Sequence, residues 1–134
     1  MTKLDICDAI LEKLRTTFTT DEFEVILYPS DLKDYQMSHP NGAILIKAGQ
    51  VQGNEPINVI QTEFVTFIIT FIATSLYGAI GIYNAEIRVR QDLELLRFDS
   101  AKPYLTTQSE AMQTDEGLWV TEFTYILPQI NINE

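Results

Sequence analysis

Few side chains in this chain have the chemistry to make or break a bond, and none stands in a convergent set. His39 is the one histidine, in the passage His39-Pro40-Asn41-Gly42. Proline fixes φ there and Asn-Gly tolerates positive φ, so the residue belongs in an exposed turn and not beside a nucleophile. Cys7 is the one cysteine. It falls among Leu4, Leu11 and Leu14, where a buried thiol acts as a small hydrophobe and resists ionisation. A lone cysteine also excludes an internal disulfide and a multi-cysteine metal site. The acidic pairs Asp21/Glu22 and Asp115/Glu116 lack the organised run of oxygen ligands that hard cations take. Tyr77-Gly78-Ala79-Ile80-Gly81 matches neither the dinucleotide fingerprint nor the P-loop, and no lysine follows it, so the glycines read as a tight turn or a close backbone approach. The expectation is no catalytic residue, no cofactor and no metal.

The elements that would position these residues are legible from periodicity. Leu4, Cys7, Leu11, Leu14 and Phe18, with Ile10 beside them, form one apolar stripe, and Thr2 with Asp5 resembles a capping box. A helix from Lys3 to Thr17 is predicted. Phe23–Tyr28 is β-branched and aromatic and ends at Pro29, so it reads as a strand. Ser30–Tyr35 reads as one helical turn, and the Pro40-Asn41-Gly42 turn introduces a strand at Ala43–Ile46. Ala48–Pro56, with Gly49, Gly53, Asn54 and Pro56, reads as a projecting loop between strands.

No charged residue occurs between Phe64 and Ala85. That run is long enough to span a membrane as a helix. Its period is two, however: Phe64, Thr66, Ile68, Thr70, Ile72 and Thr74 alternate with Val65, Phe67, Ile69, Phe71 and Ala73. A strand with one buried face is the better reading, and no membrane span is expected. Ile80, Tyr83 and Ile87, then Val89, Leu93 and Leu96, keep near-helical spacing and predict a second helix over Leu76–Arg97. A weak strand near Tyr104–Met112, the turn Asp115-Glu116-Gly117 and a strand Leu118–Leu127 follow. In that last strand Trp119, Thr121, Phe123, Tyr125 and Leu127 share a face, with Trp119 and Phe123 assigned to the core. Pro128 is predicted to end it, leaving a tail over Gln129–Glu134.

The 134 residues suit a single domain over 1–134. The order helix, three strands, helix, two strands predicts an α+β fold of two layers, a mostly antiparallel sheet of about five strands with two helices packed against it. A formal net charge of −10 argues against binding a phosphate backbone, which needs clustered cations. The lone cysteine fits a reducing compartment, and carboxylates near Met1-Thr2-Lys3-Leu4-Asp5 argue against a secretory signal.

In layout the chain resembles the small tail-terminator proteins of Mu-like contractile-tailed phages and related contractile particles. The resemblance is carried by the N-terminal amphipathic helix, by Pro40-Asn41-Gly42-Ala43-Ile44-Leu45-Ile46 and by the long strand Glu63–Ala73. It continues through Tyr77-Gly78-Ala79-Ile80 into a helix with Arg88, Arg90 and Leu93, and on to Gly117-Leu118-Trp119. The Phe98–Pro103 stretch departs from the glycine-containing turn of the pattern. The resemblance implies a homohexameric ring at the tail–neck junction of the virion, assembled in the host cytoplasm. Its partners would be itself, the tail tube protein, a sheath protein if the tail contracts, and the neck connector. DNA would pass through an acidic lumen without specific binding. For contact surfaces we choose Val51, Gln52 and Asn54 in the projecting loop and Ile130 and Ile132 in the tail, with Asp115 and Glu116 on an acidic lumen or surface. The competing expectations are another virion neck or tail-assembly adaptor, or a small ligand-binding module with a pocket between sheet and helices.

Overall fold

A computed structural model describes residues 2–29, 36–53, 63–98 and 101–130. Helix α1 spans Lys3–Thr17, and its start is fixed by a complete capping box. The Thr2 hydroxyl accepts from the Asp5 backbone N–H at 3.1 Å, and the Asp5 carboxylate accepts from the Thr2 N–H at 2.8 Å. Aspartate thus does at this position what a longer acid usually does. The buried stripe runs through Ile6, Cys7, Ile10, Leu14 and Phe18, while Leu4 is 59% exposed. The predicted stripe is therefore rotated slightly from the real one, because Ile6 and not Leu4 faces the sheet.

Strand β1 (Glu24–Leu27) pairs in parallel with β2 (Gly42–Gly53). β2 runs antiparallel to β3 (Glu63–Ala73), and β3 antiparallel to β6 (Trp119–Ile130). β4 (Tyr104–Gln108) and the short β5 (Met112–Gln113) both pair with β6, and the order across the sheet is β1-β2-β3-β6-β4. The architecture is α+β, with six strands where about five were predicted. The weak strand near Tyr104–Met112 divides at Ser109, whose hydroxyl and backbone engage Thr121 and Glu122 of β6.

Two boundaries differ from expectation for the same reason. The predicted loop at Ala48 continues as strand to Gly53, because an extra residue between Ala48 and Val51 is absorbed as a β-bulge in the pairing with β3. A Cβ at Gly49 would collide with the Thr66 hydroxyl, so glycine permits the strand to continue there. Likewise β6 runs past Pro128 to Ile130. Between Leu127 and Ile130 it carries one more residue than β3 does between Val65 and Glu63, and β4 has already ended opposite Ile126. A proline is tolerated at a bulge where a strand has lost one neighbour. Ser30–Tyr35, Asn54, Pro56, Ile132 and the end of the tail lie outside the described residues.

Helix α2 spans Ile82–Leu95, beginning six residues later than predicted. Gly78 takes φ +86°, and a Cβ on Gly81 would stand 2.5 Å from the carbonyls of Leu76 and Tyr77. The segment before Ile82 is therefore a wound turn, closed by Ile82 N–H to Ser75 O at 3.0 Å and Tyr83 N–H to Leu76 O at 3.2 Å. Both helices lie on one side of the sheet. The core between layers joins Ile6, Ile10 and Leu14 of α1, Phe18 at its C-cap, and Ile82, Val89 and Leu93 of α2 to Phe67, Ile69, Phe71, Phe123 and Leu127. Phe71 and Phe123 meet edge to face at 5.0 Å. The alternation read from Val65 to Ala73 is the alternation observed, with its uninterrupted apolar side facing the helices. Phe123 is fully buried, and Trp119 is only partly so, at the margin of the core.

Candidate functional site

Of the side chains singled out for their chemistry, His39 and Glu22 are committed to structural bonds and Cys7 to the core. His39 Nε2 donates to the Thr20 carbonyl at 2.6 Å, and its Nδ1 accepts from the Asn41 backbone N–H at 3.0 Å. Both ring nitrogens are thus engaged in holding the turn. Asn41 Nδ2 adds bonds to the carbonyls of Asp21 and Glu22 at 3.2 and 3.1 Å, so this turn is stapled to the loop after α1. Cys7 is buried, and desolvation pushes its thiol above the ordinary value, with Asp8 adding to the effect and an Ala48 backbone bond opposing it. It is core filler by position and inert by ionisation.

Of the acidic pairs, Glu22 has a partner. Arg88 on α2 grips its two carboxylate oxygens at 2.6 and 3.1 Å, donates to the Thr17 carbonyl at 2.5 Å, and lays its guanidinium 4.2 Å from the centre of the Phe18 ring. Hydrogen bonding to Arg88 is the largest reason the Glu22 carboxyl is held below its usual range. Asp115 and Glu116 are exposed in the β5–β6 turn, where Gly117 takes φ +85° and Thr114 N–H reaches Leu118 O at 2.7 Å. Val51 and Gln52 stand in β2 opposite Val65 and Phe64, and Ile130 stands in β6 opposite Glu63. These residues are not brought together with Asp115 and Glu116, which lie at the other end of the sheet.

Among the described residues, cavities border the sheet at two places. The larger, about 550 Å³, opens beside the edge strand β1 and is lined by Arg15, Phe18, Phe23, Val25, Ile26 and His39 among others. Its wall is tied by Arg15 Nε donating to the Val25 carbonyl at 2.9 Å. The smaller, about 240 Å³, lies between α2 and the β4–β6 pair, around Arg90, Glu94 and Tyr125. Burial pushes the Tyr125 hydroxyl up to about 12, so it stays neutral. No cluster of three His, Cys, Asp or Glu side chains suited to a metal occurs among the described residues. No helix among them is long and apolar enough to cross a membrane.

Sequence periodicity missed one surface. Ile80, Tyr83 and Ile87 were expected to point inward with Val89 and Leu93, yet they are 37%, 44% and 55% exposed. α2 carries two apolar stripes: Ile82, Ala85, Val89 and Leu93 face the core, and Tyr83 and Ile87 face out. Tyr77, 72% exposed, packs edge-on against Tyr83 at 5.6 Å and extends this crest. The signal was present in the spacing, since at about 100° per residue 80, 83 and 87 stand about 160° round the helix from 82, 85 and 89, nearly half a turn.

Fold and surface together define a two-layer α+β protein with an apolar crest in the open and with His39, Cys7 and Glu22 held in structural roles. The chain belongs to the Gp37 protein family, a phage-related family whose model matches residues 10–134. No curated protein matches the chain.

Proposed function

We propose that this protein is a structural tail terminator of a phage. It forms a ring that caps the tail tube, stops its polymerisation and joins it to the neck, and it catalyses nothing. The observation that carries this reading is the Gp37 match over nearly the whole chain, with its phage association. The commitment of His39, Cys7 and Glu22 to structural roles supports it, because an assembly protein needs no primed group. A head-to-tail contact whose rotation closes makes a ring, and a ring that covers the growing edge without offering a new one ends growth. A net charge of −10, repeated around an axis, would repel DNA and let a genome pass without sticking. Partners on this reading are further copies of the chain, the tube protein, a sheath protein where the tail contracts, and the neck connector.

The test is electron microscopy and mass measurement of the purified protein, alone and with tube protein. Six-membered rings that bind tube ends and fix tube length are expected. A protein that stays monomeric with tube protein present, or tubes of unchanged length distribution, would sink the reading.

A further inference from the structure

The cavity between α2 and the β4–β6 pair holds polar groups that the fold itself does not use. Tyr125 is 3% exposed, and its ring is pinned by stacking on Phe67, its partner in the β3–β6 pairing, with centres 5.2 Å apart. The hydroxyl on that fixed ring opens into the cavity and has no hydrogen-bond partner among the described residues. A phenol so deep in a protein is ordinarily hydrogen-bonded, because leaving water without a new partner costs stability. Burial is the main reason the hydroxyl is pushed up to about 12, while Arg90 and Glu94 stand near enough to act on it in opposite directions. It therefore remains a donor at physiological pH.

Arg90 lines the same cavity from α2, and its guanidinium makes no ion pair or hydrogen bond among the described residues. The other cations at this end of the helix are spent. Lys102 pairs with Glu94 at 2.5 Å, and Arg97 donates to the carbonyls of Glu94 and Leu96 at 2.7 and 2.9 Å. Glu86, which also feels Arg90, accepts from the Gln108 amide at 2.9 Å. One uncommitted positive charge and one uncommitted hydroxyl thus share a cavity with Leu93, Pro103 and Leu105 in its wall.

We infer that this cavity binds a small monocarboxylic acid, with Arg90 gripping the carboxylate, Tyr125 donating to the same group, and the apolar body of the acid against Leu93, Pro103 and Leu105. The site adds a ligand to the structural reading above and does not depend on it. Charge and shape set the class. The planar fork of a guanidinium matches the two oxygens of a carboxylate, and a single uncommitted cation balances a single negative charge. A phosphate dianion would call for a second cation, and Lys102 is already held by Glu94. Size sets the limit: an engineered cavity of about 150 Å³ holds benzene. The cavity here, about 240 Å³, has room for a body of that size and a carboxylate besides. Binding also gives the Tyr125 hydroxyl the partner it lacks.

The experiment is calorimetric titration of the full chain with benzoate. A Kd on the order of 1 mM is expected, the affinity open to a ligand of about nine heavy atoms. Benzamide, of the same shape but uncharged, should bind about tenfold more weakly or worse. Arg90→Gln should weaken benzoate about tenfold, and Tyr125→Phe by about fivefold. Tyr125→Phe should melt no lower than the parent, since the lost hydroxyl bonds nothing in the fold. A lower melting temperature would show the hydroxyl spent internally and overturn the site. Arg97→Gln changes a guanidinium that does not line the cavity, so benzoate binding should be unchanged; an equal loss there would reduce the effect of Arg90 to general charge and overturn its role. No binding up to about 20 mM benzoate, equal binding of benzamide, or undiminished binding by the Arg90→Gln variant would each refute the inference. A blocked tripeptide with a central glutamate tests the other source of a carboxylate. Binding tighter than that of benzoate would put a protein side chain in the cavity and overturn the small-acid assignment.

Discussion

The two flanks of α2 differ in how much of their chemistry is spent inside the molecule. Toward α1, Arg88 is fixed by a carboxylate, a carbonyl and an aromatic face, and it joins the end of one helix to the middle of the other. Toward β4, one buried carboxylate with a single amide donor lies beneath Tyr83 and Ile87, which stand in the open. A helix held only for stability would have its large apolar side chains under cover and its arginines in water. On α2, Arg88 is tied to the end of α1, whereas Tyr83 and Ile87 are left exposed.

Alanine substitutions test that division directly. Leu93 is 1% exposed in the core, so Leu93→Ala should lower stability by about 3 kcal/mol, read as a fall in the denaturant midpoint. Next in size is Arg88→Ala, with an expected loss of about 2 kcal/mol for charge-assisted bonds that are only partly exposed. Glu22→Ala combined with it should add less than the sum of the two singles, since both remove one pair. The sign of the pH dependence follows. The Glu22 carboxyl is held below its usual range, so its contribution is present above the ordinary carboxylate range and lost as pH falls through its lowered value. Arg88→Ala should flatten that acid limb, and an unchanged limb would show that the pair contributes little.

Glu86 has the opposite sign. It is 8% exposed, burial raises its carboxyl above the ordinary range, and Arg90 offsets this only in part. A raised carboxyl favours the folded state when protonated, so this contribution is present below the ordinary range and lost as pH rises through the raised value. Glu86→Gln should therefore raise the thermal midpoint at pH 7, with the gain shrinking toward pH 4. A midpoint lowered at pH 7 would mean that the charge is better solvated than its burial implies.

The asymmetry also explains how much could be read in advance. The bounds of α1 were legible because its cap and period are local signals, though Leu4 was placed on the stripe where Ile6 belongs, and Val65–Ala73 was legible because a wholly apolar alternate face has no other stable home. The parallel pairing of β1 with β2 was not legible, since it depends on how a connection returns through space. The bulges at Gly49 and Pro128 hid the true strand ends because glycine and proline, taken alone, signal a stop. The exposed crest was folded into the core stripe because Ile80, Tyr83 and Ile87 fit the helical period as well as Ile82, Ala85 and Val89 do. Periodicity reports that a residue is apolar and on a helix, not whether a sheet lies beneath it. The candidate surface therefore lay in the sequence only as an angular offset between two stripes, whereas the structural nature of Cys7 was plain from the stripe around it.

The smallest expected effect is the most discriminating. Tyr83→Ser and Ile87→Ser remove apolar surface that is already about half in water, so each should change the unfolding free energy of the monomer by less than about 0.5 kcal/mol. Tyr83 gives up its edge-on contact with Tyr77 as well, but an exposed aromatic pair contributes little where water reaches both rings. Measured under conditions that hold the protein monomeric, near-neutral values on this flank beside large losses at Leu93 and Arg88 would establish that the crest serves no fold of its own. A loss of about 2 kcal/mol at Ile87 would instead show that this flank is packed within the chain, and the contrast between the two sides of α2 would collapse.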